Sequence, residues 1–265
     1  LVSQSFAASI VGRSASPSPL LLSSRTKLIA WHRADLGLTT GATLSLADQS
    51  GNGHTYSRTA NQPTVEATGW QSTMQSILFD GTNDGLVCTT SLAADLVGGS
   101  DNSHTIVTVG QYVAVGAAVA AAMFGFGRSA VSANPFYFLQ ARGSGLAPAS
   151  VFRIAKEDDA PLLVSVDSTE NWTTAQTVYY ITHSGTVVGM RRNGTALTLS
   201  GGGAQNVGAT TVDRASIGLL IRNGAESNWG NIRWREQICY SSELTSGERD
   251  ELTNYYLQPM YGLSA

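Results

Sequence analysis

The sequence predicts an all-β fold, a two-sheet antiparallel sandwich with one short C-terminal helix. Three observations carry that prediction. From Lys27 onward, short runs rich in β-branched and aromatic residues recur at regular intervals. Gly, Asn and Pro clusters punctuate them, and no helix-period segment intervenes. The chain has 265 residues, 42% of them hydrophobic, enough to fill the core of one large β domain or two small ones.

Residues 1–26 differ from the rest. "SASPSPLLLSS" mixes Ser and Pro, which favour extended backbone, with an apolar patch that needs covering. An extended arm that docks on a neighbouring subunit or partner, or else a linker, is expected there, with the folded domain over 27–265. "KLIAWHRA" opens the strand series, followed by "SILFDG", "LVCTTS" and "HTIVTVGQYVAV". "NPFYFLQAR", "SVFRIAK", "PLLVSVD" and "QTVYYITHSG" continue it. "TVVGMRRNGTALTLS" reads as a hairpin turning at Asn193-Gly194, because both positions tolerate positive φ. "ASIGLLIR" and "GNIRWREQICYS" close the series. The helix follows. Thr245 and Glu248 have capping-box spacing, and Leu252, Tyr255 and Tyr256 are expected to share its apolar face.

Composition excludes several function classes. The net charge is −3, only 13% of residues are charged, and there is no basic run, so nucleic acid is not an expected partner. The most apolar run, Val113 to Gly127, is shorter than the roughly 20 residues a membrane helix needs. It reads as buried strand and turn, without membrane insertion. Cys88 and Cys239 match no zinc spacing. The sequence leaves their pairing open, along with oligomeric state.

The order of motifs resembles the concanavalin A-like or laminin-G-like jelly-roll family, over roughly Leu28 to Gly262. "LIAWHRADLGL" is similar to that family's opening strand, and "LADQSGNGH" to its Asp-x-Ser-Gly-Asn-Gly turn. "ILFDGTNDGL", "MRRNGTAL" and the final "WGNIRWREQICYSSELTSGERDELTNYYLQPMYG" follow in the family's order. The resemblance implies a jelly-roll sandwich. It does not fix function, since that architecture hosts lectins, glycan-cleaving enzymes, adhesion modules and viral proteins.

In "DQSGNGH", Gly51 and Gly53 permit positive φ while Asp48, Ser50 and Asn52 can bond nearby backbone, which suffices for a structural turn. The alternative is structural calcium. Hard cations take carboxylate, amide and carbonyl oxygens, and Asp48, Asn52, Asp80 and Asp84 could supply them from separate loops. Catalytic residues are not found. A glycan hydrolase on this fold would show paired carboxylates two apart on a strand, and none are present. The chain is therefore expected not to be an enzyme.

The last strand singles out Glu236. Simple alternation puts Ile232, Trp234, Glu236, Ile238 and Tyr240 on the core face, with Arg233, Arg235, Gln237 and Cys239 opposite. A buried carboxylate needs donors, so Glu236 is read as a structural anchor. Arg233 and Arg235 are candidate carbohydrate contacts on the other face. Trp172 and Trp229 in polar turns could stack on a pyranose ring, with Asn228 beside Trp229 as a hydroxyl partner. The resulting expectation is a non-catalytic lectin-like adhesion module. It would recognise a glycan, a cell-surface polysaccharide or another surface partner, outside a cell or on a virion surface. A structural virion protein (phage capsid decoration or a tail component) anchored by residues 1–26 is the alternative. A glycan hydrolase or lyase comes last.

Overall fold

The computed structural model describes residues 18–71, 73–130 and 135–262. The expected two-sheet antiparallel sandwich is found. In the front sheet the strands run in the order Thr195–Ala196, Val187–Arg192, Thr177–Ser184, His104–Ala114, Asn231–Tyr240, Met74–Asp80 and Thr64–Trp70. Leu28–Arg33 pairs with the C-terminal half of Asn231–Tyr240. The back sheet runs from Leu163–Asn171 through Val151–Glu157, Phe136–Arg142, Ala120–Gly127, Arg214–Ile217 and Leu86–Cys88 to three short strands at its far edge. The long apolar run crosses between the sheets. His104–Ala114 belongs to the front and Ala120–Gly127 to the back, joined by a turn. Asn193 and Gly194 have φ of 48° and 82°, the two left-handed positions of a tight hairpin turn.

Side chains from both inner faces form the main core. Phe79, Ile106, Tyr112, Ile232 and Trp234 of the front sheet meet Phe124, Phe126, Tyr137 and Phe152 of the back. Burying each such side chain contributes about 1.5–3 kcal/mol. Cys88 and Cys239 are both free thiols in this core.

A second core lies outside the sandwich. Trp31, Trp70, Val107, Val109, Tyr180, Ile238 and Tyr240 line the outer face of the front sheet and are covered by Leu252, Tyr256, Leu257 and Tyr261 of the C-terminal helix. The capping box of Thr245 and Glu248 starts the helix, with both reciprocal bonds made. A π turn over Thr253–Leu257 shifts the helix face before Pro259, which cannot donate a backbone bond. Tyr255 is therefore rotated out and is 69% exposed, not on the buried face that a regular helix period predicts.

The face assignment of the last strand is also corrected. Trp234 pairs with Gly110 but Glu236 pairs with Val109, so Arg235 is an extra residue, a β-bulge. Before the bulge, Ile232 and Trp234 face the inter-sheet core. After it, Ile238 and Tyr240 turn to the helix, while Cys239 joins the inter-sheet core. A bulge inverts which side each later residue faces.

Other features escape periodicity. Leu92–Val97 is a six-residue helix, too short to show a repeat. Thr64–Trp70 is an edge strand whose exposed and half-buried side chains hide the alternation. Of the expected N-terminal arm, residues 1–17 lie outside the described residues. Residues 18–27 form two 3-10 turns against the chain's own C-terminal helix. Leu22 joins the outer core, and the backbone N–H of Ser23 donates to Glu251 at 3.0 Å. No described helix is long and apolar enough to cross a membrane.

Candidate functional site

The terminal helix covers only part of the front sheet's outer face. Beside it lies an open groove of about 670 Å³, lined among others by Glu66, Thr68, Gln71, Gln111, Gln176 and Arg233. Strand alternation builds this lining. Ile232 and Trp234 point inward, so Arg233 points out, and its ladder partner Gln111 points out beside it. Arg233 reaches across strand Met74–Asp80 to Glu66, with Nε at 2.6 Å and Nη2 at 3.2 Å from the two carboxylate oxygens. The Arg233 hydrogen bonds hold the Glu66 carboxyl below its ordinary range, and Glu66 in turn raises Arg233. Gln71, at φ 49°, donates to the Tyr261 carbonyl at 2.9 Å and so joins the groove to the helix end. The Gln111 amide donates to the Thr174 carbonyl at 3.3 Å. The groove thus offers a carboxylate, a guanidinium, a hydroxyl and three primary amides, the donor and acceptor set that sugar hydroxyls bind.

Below the helix the bulge places Glu236 at the centre of a closed polar knot. Trp31 Nε1 donates to it at 2.5 Å, and the hydroxyls of Tyr256 and Tyr261 donate to its two oxygens. Arg33 bonds the Tyr256 hydroxyl at 3.3 Å and Asp35 at 2.7 Å. Arg235, only 1% exposed, holds Asp35 at 2.8 Å and the Gln75 carbonyl at 2.6 Å. Burial pushes the Glu236 carboxyl up, against the pull of its three donors and Arg33. No part of Glu236 reaches solvent.

The residues proposed as carbohydrate contacts are scattered. Arg233 lines the groove. Arg235 is buried in the polar knot and does not share Arg233's surface, because the bulge separates them. Trp172 packs its ring against Tyr112, 6.4 Å between centroids, at the margin of the core. Asn228 is spent on the fold: its amide donates to the Ala120 carbonyl at 3.1 Å and its own carbonyl accepts from Ala122. Trp229 stays half-buried with the Arg58 guanidinium 5.8 Å from its ring, and Arg58 also holds Glu226 and the Asn83 carbonyl. The three glutamines were missed because an isolated Gln carries no motif. Only the sheet register brings them together.

The four proposed calcium ligands do not form one site. Asp48 accepts bonds from the backbone N–H groups of Trp31, Ser50 and His54 and from the Ser50 hydroxyl. These donors outweigh the burial that would raise it and hold its pKa below the usual range. Asn52 donates to the Ile29 carbonyl at 2.8 Å. Asp84 instead accepts from the Asp80 backbone N–H, and burial raises it to about 6. Trp31 pairs with Ile238 and Asp80 with Asn231. At ~3.3 Å per residue the two loops sit roughly 20 Å apart along the last strand. Among the described residues no three His, Cys, Asp or Glu side chains gather as a metal cluster.

No family model and no curated protein sequence matches the chain. Solved structures do. The binding domain of Paraclostridial Mosquitocidal Protein 1 matches with a TM-score of 0.62 at 11% identity, over 88% of this chain and 53% of that one. Trypanosoma rangeli sialidase in complex with sialic acid matches with a TM-score of 0.61 at 15% identity, over 90% of this chain and 34% of that one. A structure of botulinum neurotoxin type C matches with a TM-score of 0.59 at 10% identity, over 87% of this chain and 51% of that one. The chain therefore spans between about a third and about a half of these proteins' length. At such identity the likeness shows the fold alone: a β-sandwich of the kind found in a toxin's binding domain and in a sialidase. It also corrects the expectation that the chain is not an enzyme. The same fold forms part of a sialidase, so the missing local motifs do not set this chain apart from enzymes.

Proposed function

We propose that the chain is a glycan-recognition module, concanavalin A-like in architecture and working outside the cell, and that it binds through the groove around Arg233. The single observation that carries this reading is the convergence of the Arg233–Glu66 pair with Gln71, Gln111 and Gln176 on one open, polar sheet face. The pair fixes a donor and an acceptor side by side, and the amides add both kinds around them. Sugar hydroxyls need that alternation. The fold neighbours support the reading. One is the binding domain of a mosquitocidal protein, and another is a neurotoxin whose cell entry depends on interaction with two ganglioside molecules. The half-buried Trp229 over Arg58 is a candidate second contact, offering a ring face to a sugar.

A glycan array with the intact chain tests the reading. Binding to a defined set of saccharides is expected, and Arg233→Gln and Gln111→Ala should each weaken it about tenfold or more. An array with no saccharide above background sinks it. So does binding that both variants leave intact.

A further inference from the structure

A second cleft lies toward the opposite edge of the front sheet. It measures about 350 Å³ and is lined among others by Tyr180, Thr182, Gly189, Arg191, Glu243 and Arg249. An adjoining hollow of about 260 Å³ shares Tyr180, Arg191 and Arg249 with it. Arg191 is the ladder partner of Tyr180, so both stand on the outer face. Arg249 comes from the helix Ser246–Leu252 above. Two guanidinium groups thus flank one phenol. The Tyr180 hydroxyl is fixed by a 2.6 Å bond with Thr253, so the ring between them is held in place. Gly189 leaves part of the floor as bare backbone; a Cβ there would fall 2.6 Å from the Thr182 hydroxyl.

The two arginines differ from most others in the fold. Arg33, Arg58, Arg153 and Arg233, for example, each face a carboxylate. Among the described residues neither Arg191 nor Arg249 has a carboxylate within ion-pair distance, although Glu243 and Asp250 line the hollows. Each donates to one backbone carbonyl, Arg191 to Gly194 at 2.9 Å and Arg249 to Leu244 at 2.5 Å. A guanidinium is a planar fork with several further N–H donors, matched to an oxyanion. Two such forks, half-buried at one cleft, form an anion-binding arrangement. Glu243 and the hydroxyl of Thr182 supply acceptors beside it.

We infer that this cleft binds the acidic group of a saccharide, a carboxylate or a sulfate, on Arg191 and Arg249, while Glu243 accepts from a neighbouring sugar hydroxyl. The inference rests on the glycan reading and adds its substrate class: an acidic glycan. It also assigns a second contact surface, separate from the Arg233 groove.

Calorimetry on the intact chain tests it with three probes: an oligogalacturonate, its methyl ester and a sulfated galactose oligomer of the same length. At least one acidic probe should bind about tenfold tighter than the ester, and the preference should shrink with added salt. Arg191→Gln and Arg249→Gln should each remove that preference. The carboxylated and sulfated arms tell which oxyanion is taken. The comparison of acid with ester uses the unaltered chain, so it stands even if a variant folds poorly. Equal binding of all three probes overturns the inference and leaves the glycan reading in place. An acid preference that persists in the double variant with an unchanged melting temperature overturns it as well. No binding by any probe, together with a silent array, ends both.

Discussion

The indole N–H of Trp31 donates to the Glu236 carboxylate at 2.5 Å across 205 residues of sequence. Tyr256 and Tyr261 donate to the same group from the terminal helix. One buried acid therefore ties the first strand, the last strand and the helix together. Glu236→Ala leaves three buried donors without an acceptor and is expected to cost on the order of 1–3 kcal/mol. Glu236→Gln keeps the shape and one acceptor and should cost less. Urea unfolding measures both. If the Ala variant is as stable as the parent chain, the knot does not anchor the helix.

The groove predicts the opposite pattern. Arg233 and Glu66 are each 23% exposed, so breaking the pair should change stability by less than about 1 kcal/mol. Binding should suffer instead. Glu66→Gln is expected to melt within a few degrees of the parent chain yet lose saccharide binding by about tenfold. A fall in melting temperature that matches the loss of binding would make the pair a structural one.

Acid should weaken the fold. Burial lowers His32 to about 4, His104 to about 3 and His183 to about 4, all from 6.5. His104 and His183 stack 5.1 Å apart inside the sandwich, so one charge there disfavours the second. Between pH ~6.5 and ~4 the unfolded chain binds more protons at these groups, so stability falls as pH falls through that window. Asp84 acts in the reverse sense. Its carboxyl is raised to about 6, so its contribution is full below 3.8 and is lost as pH rises through 6. Unfolding free energies at pH 7 and pH 5 should show the histidine trend, steeper in Asp84→Asn. Equal stability at both values in that variant would count against it.

The helix start offers a local test. Thr245 accepts from the Glu248 backbone, and Glu248 returns a bond to the Thr245 backbone N–H at 2.8 Å. Thr245→Ala should cost about 1 kcal/mol. Hydrogen exchange in residues 246–252 should rise before exchange in the inter-sheet core does. Uniform change across the molecule would mean the helix and the sandwich open as one unit.

The amino-acid sequence by itself determined the strand series, the Asn193-Gly194 hairpin and the capped terminal helix. Each rests on neighbours a few residues apart: alternation, two left-handed positions, and the Thr245–Glu248 spacing. It also marked Glu236 as an acid that had to find donors. The rest was decided between segments far apart in the chain. The bulge at Arg235 depends on how the last strand meets Gly110 and Val109, and no residue type announces it. That one extra residue buried Arg235, turned Glu236 toward the helix and left Arg233 in the open groove. Gln71, Gln111 and Gln176 converge only because sheet register and the helix end place them together. Periodicity encodes which face a residue takes along one strand. Register, set by the packing of distant strands, encodes what it meets there.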